Sequence, residues 1–187
     1  MKFTFPLLAA FVSAAVAAPA AHKRQTTCPL QTLGGLSVTA NADPNGKTRW
    51  DVFADPSPSG LVQVGDLGWF VTNNPNGNEV FTATVGSQPD LFTFQHRNAQ
   101  EIGVSGTGPG STLLASGSPA TFQVTCSQCN AFATGNDLAA AGCTMQLVDD
   151  SGNGLGQCVS FAAAESAVAM DPCDGSAGQV FRIFSSN

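Results

Sequence analysis

Basic side chains are scarce in this chain of 187 residues, where seven lysines and arginines stand against thirteen aspartates and glutamates for a net charge of −6. A surface that grips duplex nucleic acid needs clustered cations to displace counterions. Lys47, Arg49, Arg97 and Arg182 are the only ones beyond residue 24, and they are scattered. Nucleic acid and anionic membrane are therefore poor partners. Histidine is rarer still, with only His22 and His96. A hydrolase triad would have to use His96, and Gly103-Val-Ser105-Gly106-Thr107 misses the Gly-x-Ser-x-Gly elbow at its fifth residue. Cys126-Ser-Gln-Cys129 has the spacing of a redox or zinc site but no second CxxC to complete a ligand set, so no metal or cofactor is expected. Asn-x-Ser/Thr is absent. Outside the N-terminal stretch, no apolar run approaches the roughly 20 residues a bilayer-spanning helix needs. No segment carries an apolar stripe at i, i+3, i+4, i+7, so the alanine-rich stretches Ala131–Ala141 and Ala162–Ala169 predict a single turn at most.

Three further motifs lack their chemistry. Gly106-Thr-Gly108-Pro-Gly110 has no following lysine or helix and reads as a loop, not a phosphate cradle. Asp149-Asp150-Ser151-Gly152-Asn153-Gly154 begins like a calcium loop, but Ser160 stands where the twelfth-position glutamate belongs, so a turn is expected. Glycoside hydrolysis needs two carboxyl groups facing across a cleft. Nothing among the thirteen acids selects a pair, and adjacent residues such as Asp149 and Asp150 point to opposite faces of a strand.

What is present begins with Lys2 and an apolar stretch from Phe3 to Ala18 followed by small residues, the layout of a secretory signal peptide over residues 1–20. Residues 21–24 end in Lys23-Arg24, which resembles the Kex-type processing site of fungal secretory proteins. A mature chain of residues 25–187 is thus expected, beginning at Gln25 and exported to the extracellular space. It keeps four basic and all thirteen acidic side chains, a balance of −9. Its length suits one domain with a substantial core.

Cys28, Cys126, Cys129, Cys143, Cys158 and Cys173 all lie in that mature segment, and an even count in an oxidising compartment predicts three disulfides. Short apolar or alternating runs recur along it, among them Leu36–Thr39, Trp50–Ala54, Leu61–Val64, Leu91–Gln95, Phe122–Thr125 and Met145–Val148. Turn formers such as Asn45-Gly46, Asn73–Gly77 and Ser151–Gly156 punctuate them. About a dozen short strands mean an all-β sandwich or a closed barrel-like fold. Asp90-Leu-Phe92-Thr-Phe94, Ala120-Thr-Phe122-Gln-Val124 and Gln179-Val-Phe181-Arg-Ile183 share one form and suggest threefold internal structure.

Toward the C-terminus, Gly156-Gln-Cys158-Val-Ser-Phe161, Asp171-Pro-Cys173-Asp174-Gly175 and Gly178-Gln179-Val-Phe181-Arg-Ile183 follow one another in an order that resembles a lobe of a ricin B-type β-trefoil. The resemblance implies an all-β, disulfide-stapled β-trefoil of about twelve short strands, the β-sandwich being the alternative. It also implies a Cys158–Cys173 bridge, leaving Cys28, Cys126, Cys129 and Cys143 to pair in an order it does not give. It further implies a lectin-like role, but the lobe's sugar site looks degenerate. Ser160 replaces the aspartate expected two residues after the first cysteine, Gly178 the asparagine before Gln179, and Met170 with Asp171 the aromatic platform.

Carbohydrate recognition needs a planar aromatic face beside fixed hydrogen-bonding groups. Trp69 and Phe70 with Asn74 and Asn76 have that composition, as does Trp50 beside Asp51, whereas a tryptophan can equally be a core residue. In the C-terminal lobe Asp171, Asp174 and Gln179 are the remaining ligand-contact candidates. The expected function is a secreted, non-catalytic binding module recognising a glycan or a partner protein. A protease inhibitor or effector on the same scaffold, and a small hydrolase with an unrecognised carboxylate site, are the alternatives.

Overall fold

The computed structural model describes residues 27–44, 47–52, 65–71, 79–106 and 110–186. Strands dominate it: β1 (Leu36–Ala40), β2 (Thr48–Val52), β3 (Gly65–Val71), β4 (Phe81–Val85), β5 (Leu91–His96), β6 (Ala99–Ser105), β7 (Leu114–Ser116), β8 (Phe122–Thr125), β9 (Gln128–Cys129), β10 (Leu138–Val148), β11 (Gly154–Ser160), β12 (Ser166–Ala167), β13 (Ala169–Pro172) and β14 (Phe181–Ser185). Helix among the described residues is limited to 3-10 turns at Leu30–Thr32 and Ala177–Gln179. The alanine-rich segments fold as turns and strands, as their missing apolar stripe predicts.

The pairings close a ring. β1 pairs with β4, β4 with β5, β5 with β8, β8 with β10, β10 with β14, and β14 returns to β1, every pair antiparallel. A six-stranded barrel has no free edge, which removes the liability of an exposed ladder. Three hairpins, β2–β3, β6–β7 and β11–β13, continue from the barrel strands. They touch one another through β3–β7, through the Thr112–Ala169 bridge, and through the two-residue β12 against β3. Setting aside the two-residue strands β9 and β12, twelve strands remain in three lobes of four, the topology of a β-trefoil and not of a sandwich.

The registers make the threefold relation concrete. Leu36 opposite Phe81, Phe92 opposite Phe122, and Cys143 opposite Phe181 are the same pair in the three lobes. Four residues on, Ala40 meets Phe181, His96 meets Phe81, and Leu147 meets Phe122. Between these layers Val38, Phe94 and Met145 face Ile183, Ala83 and Val124. All of these side chains are buried, so successive inward residues of each strand fill the barrel, as the period of two requires. The sequence repeat was therefore real in two of its three members. Phe122-x-Val124 and Phe181-x-Ile183 are equivalent fourth strands, but Phe92-x-Phe94 lies on a first strand. The true third member is Phe81-Thr-Ala83, disguised because alanine stands at its second inward position.

All six cysteines are bridged: Cys28 to Cys129, Cys126 to Cys143, and Cys158 to Cys173. The first four had no order in the sequence reading. The two sulfurs of the CxxC spacing go to different partners, Cys126 across the barrel ladder to β10 and Cys129 back to the start of the described chain. That spacing therefore forms neither a redox pair nor a metal clip.

Candidate binding site

Of the candidates in the C-terminal lobe, Gln179 has the most definite place. It sits at the end of the 3-10 turn before β14 and is buried. Its Oε1 accepts the backbone N–H groups of Asp174 (3.0 Å) and Gly175 (3.2 Å), and its Nε2 donates to the Pro172 carbonyl (2.8 Å). One side chain thus satisfies three backbone groups of the turn that Gly175 makes possible with φ +70°. Gln179→Ala is expected to cost about 2 kcal/mol, because partly buried backbone groups lose their partners. Urea denaturation of the variant checks this; a loss below about 0.5 kcal/mol would mean that water replaces the amide freely.

Asp171 and Asp174 are exposed on the same stretch. Asp171 lies opposite Cys158 in the β11–β13 ladder, next to the bridge. Asp174 accepts the Ser176 N–H at 2.8 Å, and the Ser176 backbone and hydroxyl hydrogen bonds hold its carboxyl below the usual aspartate range. Of the positions where the lobe departs from the lectin pattern, only Asp171 is exposed. Ser160 and Met170 are buried. The Gly178 carbonyl accepts the Phe161 N–H at 2.9 Å, and a Cβ on Gly178 would come within 3.0 Å of the Phe161 carbonyl oxygen, so a larger residue would have to displace that strand end.

The second candidate surface is placed in part. Trp69 and Phe70 occupy β3, at register positions opposite Trp50 and Arg49 of β2. Trp69 also faces Ser166 of β12, which puts this strand where the first and third lobes meet. Asn74 and Asn76 lie outside the described residues, as do the Leu61–Val64 run and the Lys23-Arg24 pair. Trp50 is a different matter. Its ring is fully buried, edge-on to Phe81 (5.8 Å, 82°) and Phe94 (5.8 Å, 89°), and the neighbouring Asp51 is buried too. The surface suggested by Trp50 beside Asp51 is therefore core.

The loop once compared with a calcium site is a turn. Asp149 accepts the N–H groups of Ser151 (2.9 Å) and Asn153 (2.8 Å) and the Asn153 amide (3.1 Å). Those bonds, the Asn153 side chain foremost, depress its carboxyl below the usual range. His96, the only histidine in the described residues, is a barrel residue with its ring edge-on to Phe81 at 6.1 Å, and its Nδ1 accepts the Asn98 N–H at 3.3 Å.

A feature missed at the sequence level lies between β8 and β10. Phe132 is 90% exposed, while every other described phenylalanine side chain is buried or half-buried. Two residues before it, Asn130 lines a shallow cleft of about 100 Å³ together with Gln128, Cys129, Leu138 and the alanines 139–141 of β10. A lone aromatic in a segment of Ala, Asn, Gly and Asp was the available signal.

No protein-family model matches the chain, and no curated protein matches it. Among solved structures it is similar to ThreeFoil, a designed threefold-symmetric protein, with a TM-score of 0.53 and 13% identity over 81% of this chain and 98% of that one. It is also similar to the ricin B-like lectin of Macrolepiota procera solved in complex with lactose, with a TM-score of 0.54 and 11% identity over 80% of this chain and 93% of that one. A mosquitocidal holotoxin matches with a TM-score of 0.55 and 9% identity over 83% of this chain, which spans 17% of the toxin. The shared feature is the fold, a β-trefoil.

Proposed function

We propose that this protein is a secreted, non-catalytic, lectin-like binding module that recognises a glycan or the surface of a partner protein. The observation that carries the reading is a barrel filled to its axis by three layers of side chains, which leaves the ligand to the loops and hairpins. Three disulfides fit an oxidising, extracellular setting. A signal peptide over residues 1–20 and a pro-segment ending at Lys23-Arg24 complete the proposal. The lactose complex of the ricin B-like neighbour supports a sugar as the ligand class.

Within this reading the inherited site of the C-terminal lobe is lost, since Ser160 and Met170 are buried and Gly178 is held against Phe161. Asp171 and Asp174 serve at most as rim contacts. The Trp69, Phe70, Asn74 and Asn76 surface takes the ligand. A glycan array probed with the disulfide-intact protein and with Trp69→Ala tests it. Selective binding that drops at least tenfold in the variant is the expected result. A blank array with stoichiometric inhibition of a protease would transfer the function to the inhibitor alternative.

A further inference from the structure

Loop 126–137 joins β8 to β10, at the end of the barrel that also holds the Gly35–Ser186 contact and lies away from the three hairpins. It is fixed at many points. Cys126 and Cys129 bridge its start to β10 and to Cys28. Asn130 Oδ1 accepts the Phe132 N–H at 3.1 Å, and Asp137 Oδ2 accepts the Thr134 N–H at 3.1 Å. Ser185 donates from its N–H to the Asp137 carbonyl (2.9 Å) and from its hydroxyl to the Gly135 carbonyl (3.0 Å). Ala133 is buried beneath. A loop held this firmly that still presents a phenylalanine at 90% exposure displays that ring to solvent in a fixed place.

The surroundings narrow what could lie on it. Gln128, Asn130, Thr134 and Asn136 are exposed neutral hydrogen-bonding side chains on the same loop. From Cys126 to Ala141 the only charged residue is Asp137, whose carboxylate already accepts a backbone N–H. Nothing on the loop pairs with an anion. The adjoining cleft of about 100 Å³ is well below the roughly 300 Å³ at which pockets begin to enclose a drug-sized ligand. A flat apolar ring on a loop of neutral amides and a hydroxyl suits a polyhydroxylated ring lying on the surface, its C–H face on the aromatic and its hydroxyls on the amides.

We propose that Phe132, with Gln128 and Asn130 beside it, forms a second ligand-contact surface for neutral glycans, at the end of the barrel away from the hairpins that carry Trp69. The proposal rests on the glycan branch of the function proposed above. Immobilised neutral, sulfated and sialylated oligosaccharides are probed with the wild-type protein, Phe132→Ala, Phe132→Leu, Phe132→Trp and Trp69→Ala. Each Phe132 variant is first checked for an unchanged melting temperature, which an exposed position permits.

Binding of the wild type to neutral glycans, weakened about tenfold by both the alanine and the leucine variants and kept by tryptophan, is the expected pattern. Retention by Phe132→Leu overturns it, because a merely greasy contact would then suffice. Unchanged binding in Phe132→Ala overturns it while leaving the Trp69 surface intact. Binding confined to the anionic sugars also overturns it, and a blank array removes both this inference and the glycan reading beneath it.

Discussion

Replacing Cys28 and Cys129 together by alanine is expected to cost the protein about 4–5 kcal/mol, the largest loss from any of its three bridges. The bond joins residues 101 apart, a span that contains β1 through β8 and therefore two of the three lobes. Cys126–Cys143 and Cys158–Cys173 close loops with separations of only 17 and 15. In the chain-entropy model the stabilisation grows with the logarithm of loop length, from about 3 kcal/mol for a 15-residue loop to about 4.7 kcal/mol for a 100-residue loop. Against a typical total of about 5–15 kcal/mol, that loss leaves a marginal fold. The bridge also pins the start of the described residues, where the 3-10 turn carrying buried Leu30 packs on β4, so its removal lets that turn fray.

Guanidinium denaturation of the oxidised double variant, beside Cys158→Ala/Cys173→Ala, measures both terms. The m-value should rise as well, because an unfolded chain without the long cross-link exposes more surface. A Cys28/Cys129 loss smaller than the Cys158/Cys173 loss would refute the loop-entropy account. It would mean that the long bridge merely ties down a segment already held by its leucines.

The fold was legible where burial alternates with period two. The runs at Leu36, Leu91, Phe122 and Phe181 announce strands because one face of each fills the barrel. The Cys158–Cys173 bridge was legible too, but only through a family resemblance, since both cysteines and the Asp-Gly turn lie in one lobe. Other features left no local trace. β10 runs over eleven residues, yet only its last four showed a pattern, because Ala139-Ala-Ala-Gly142 offers no alternation to detect. The pairing of Cys28 with Cys129 is a long-range fact about where the chain begins relative to the third lobe. The repeat was misaligned for a physical reason: first and fourth strands both send a Phe-x-apolar pair into the same core, so the motif marks a barrel strand without saying which one.

The site was less legible than the fold. Composition alone treats Trp50 beside Asp51 and Trp69 beside Phe70 as the same kind of feature, since both are a tryptophan next to a polar or aromatic neighbour. Structure separates Trp50, and Phe132 shows the converse, an exposed aromatic whose one signal was its place in a segment of small and polar residues. For Trp50 the deciding factor is the side of the strand that faces the core, which depends on register set by partners elsewhere in the chain, whereas Phe132 lies in the β9–β10 connection, where no strand period applies.

Trp50→Ala is accordingly expected to cost the protein about 3–5 kcal/mol of stability. Its ring is fully buried and meets Phe81 from its own lobe and Phe94 from the next edge-on, both at 5.8 Å, so it links two lobes that also meet through the β4–β5 and β3–β7 ladders. Truncation removes the transfer energy of an indole and leaves a cavity that rigid β-strands cannot collapse to fill. Beyond buried area, edge-to-face aromatic pairs add about 0.5–1.5 kcal/mol each, so a double-mutant cycle with Phe94→Leu should show coupling of that order across the lobe boundary. Chemical denaturation gives the stability, and titration with a bound glycan under folding conditions gives the affinity. If Trp50→Ala left stability within about 1 kcal/mol of wild type but abolished binding, the indole would belong to a ligand surface after all and not to the core.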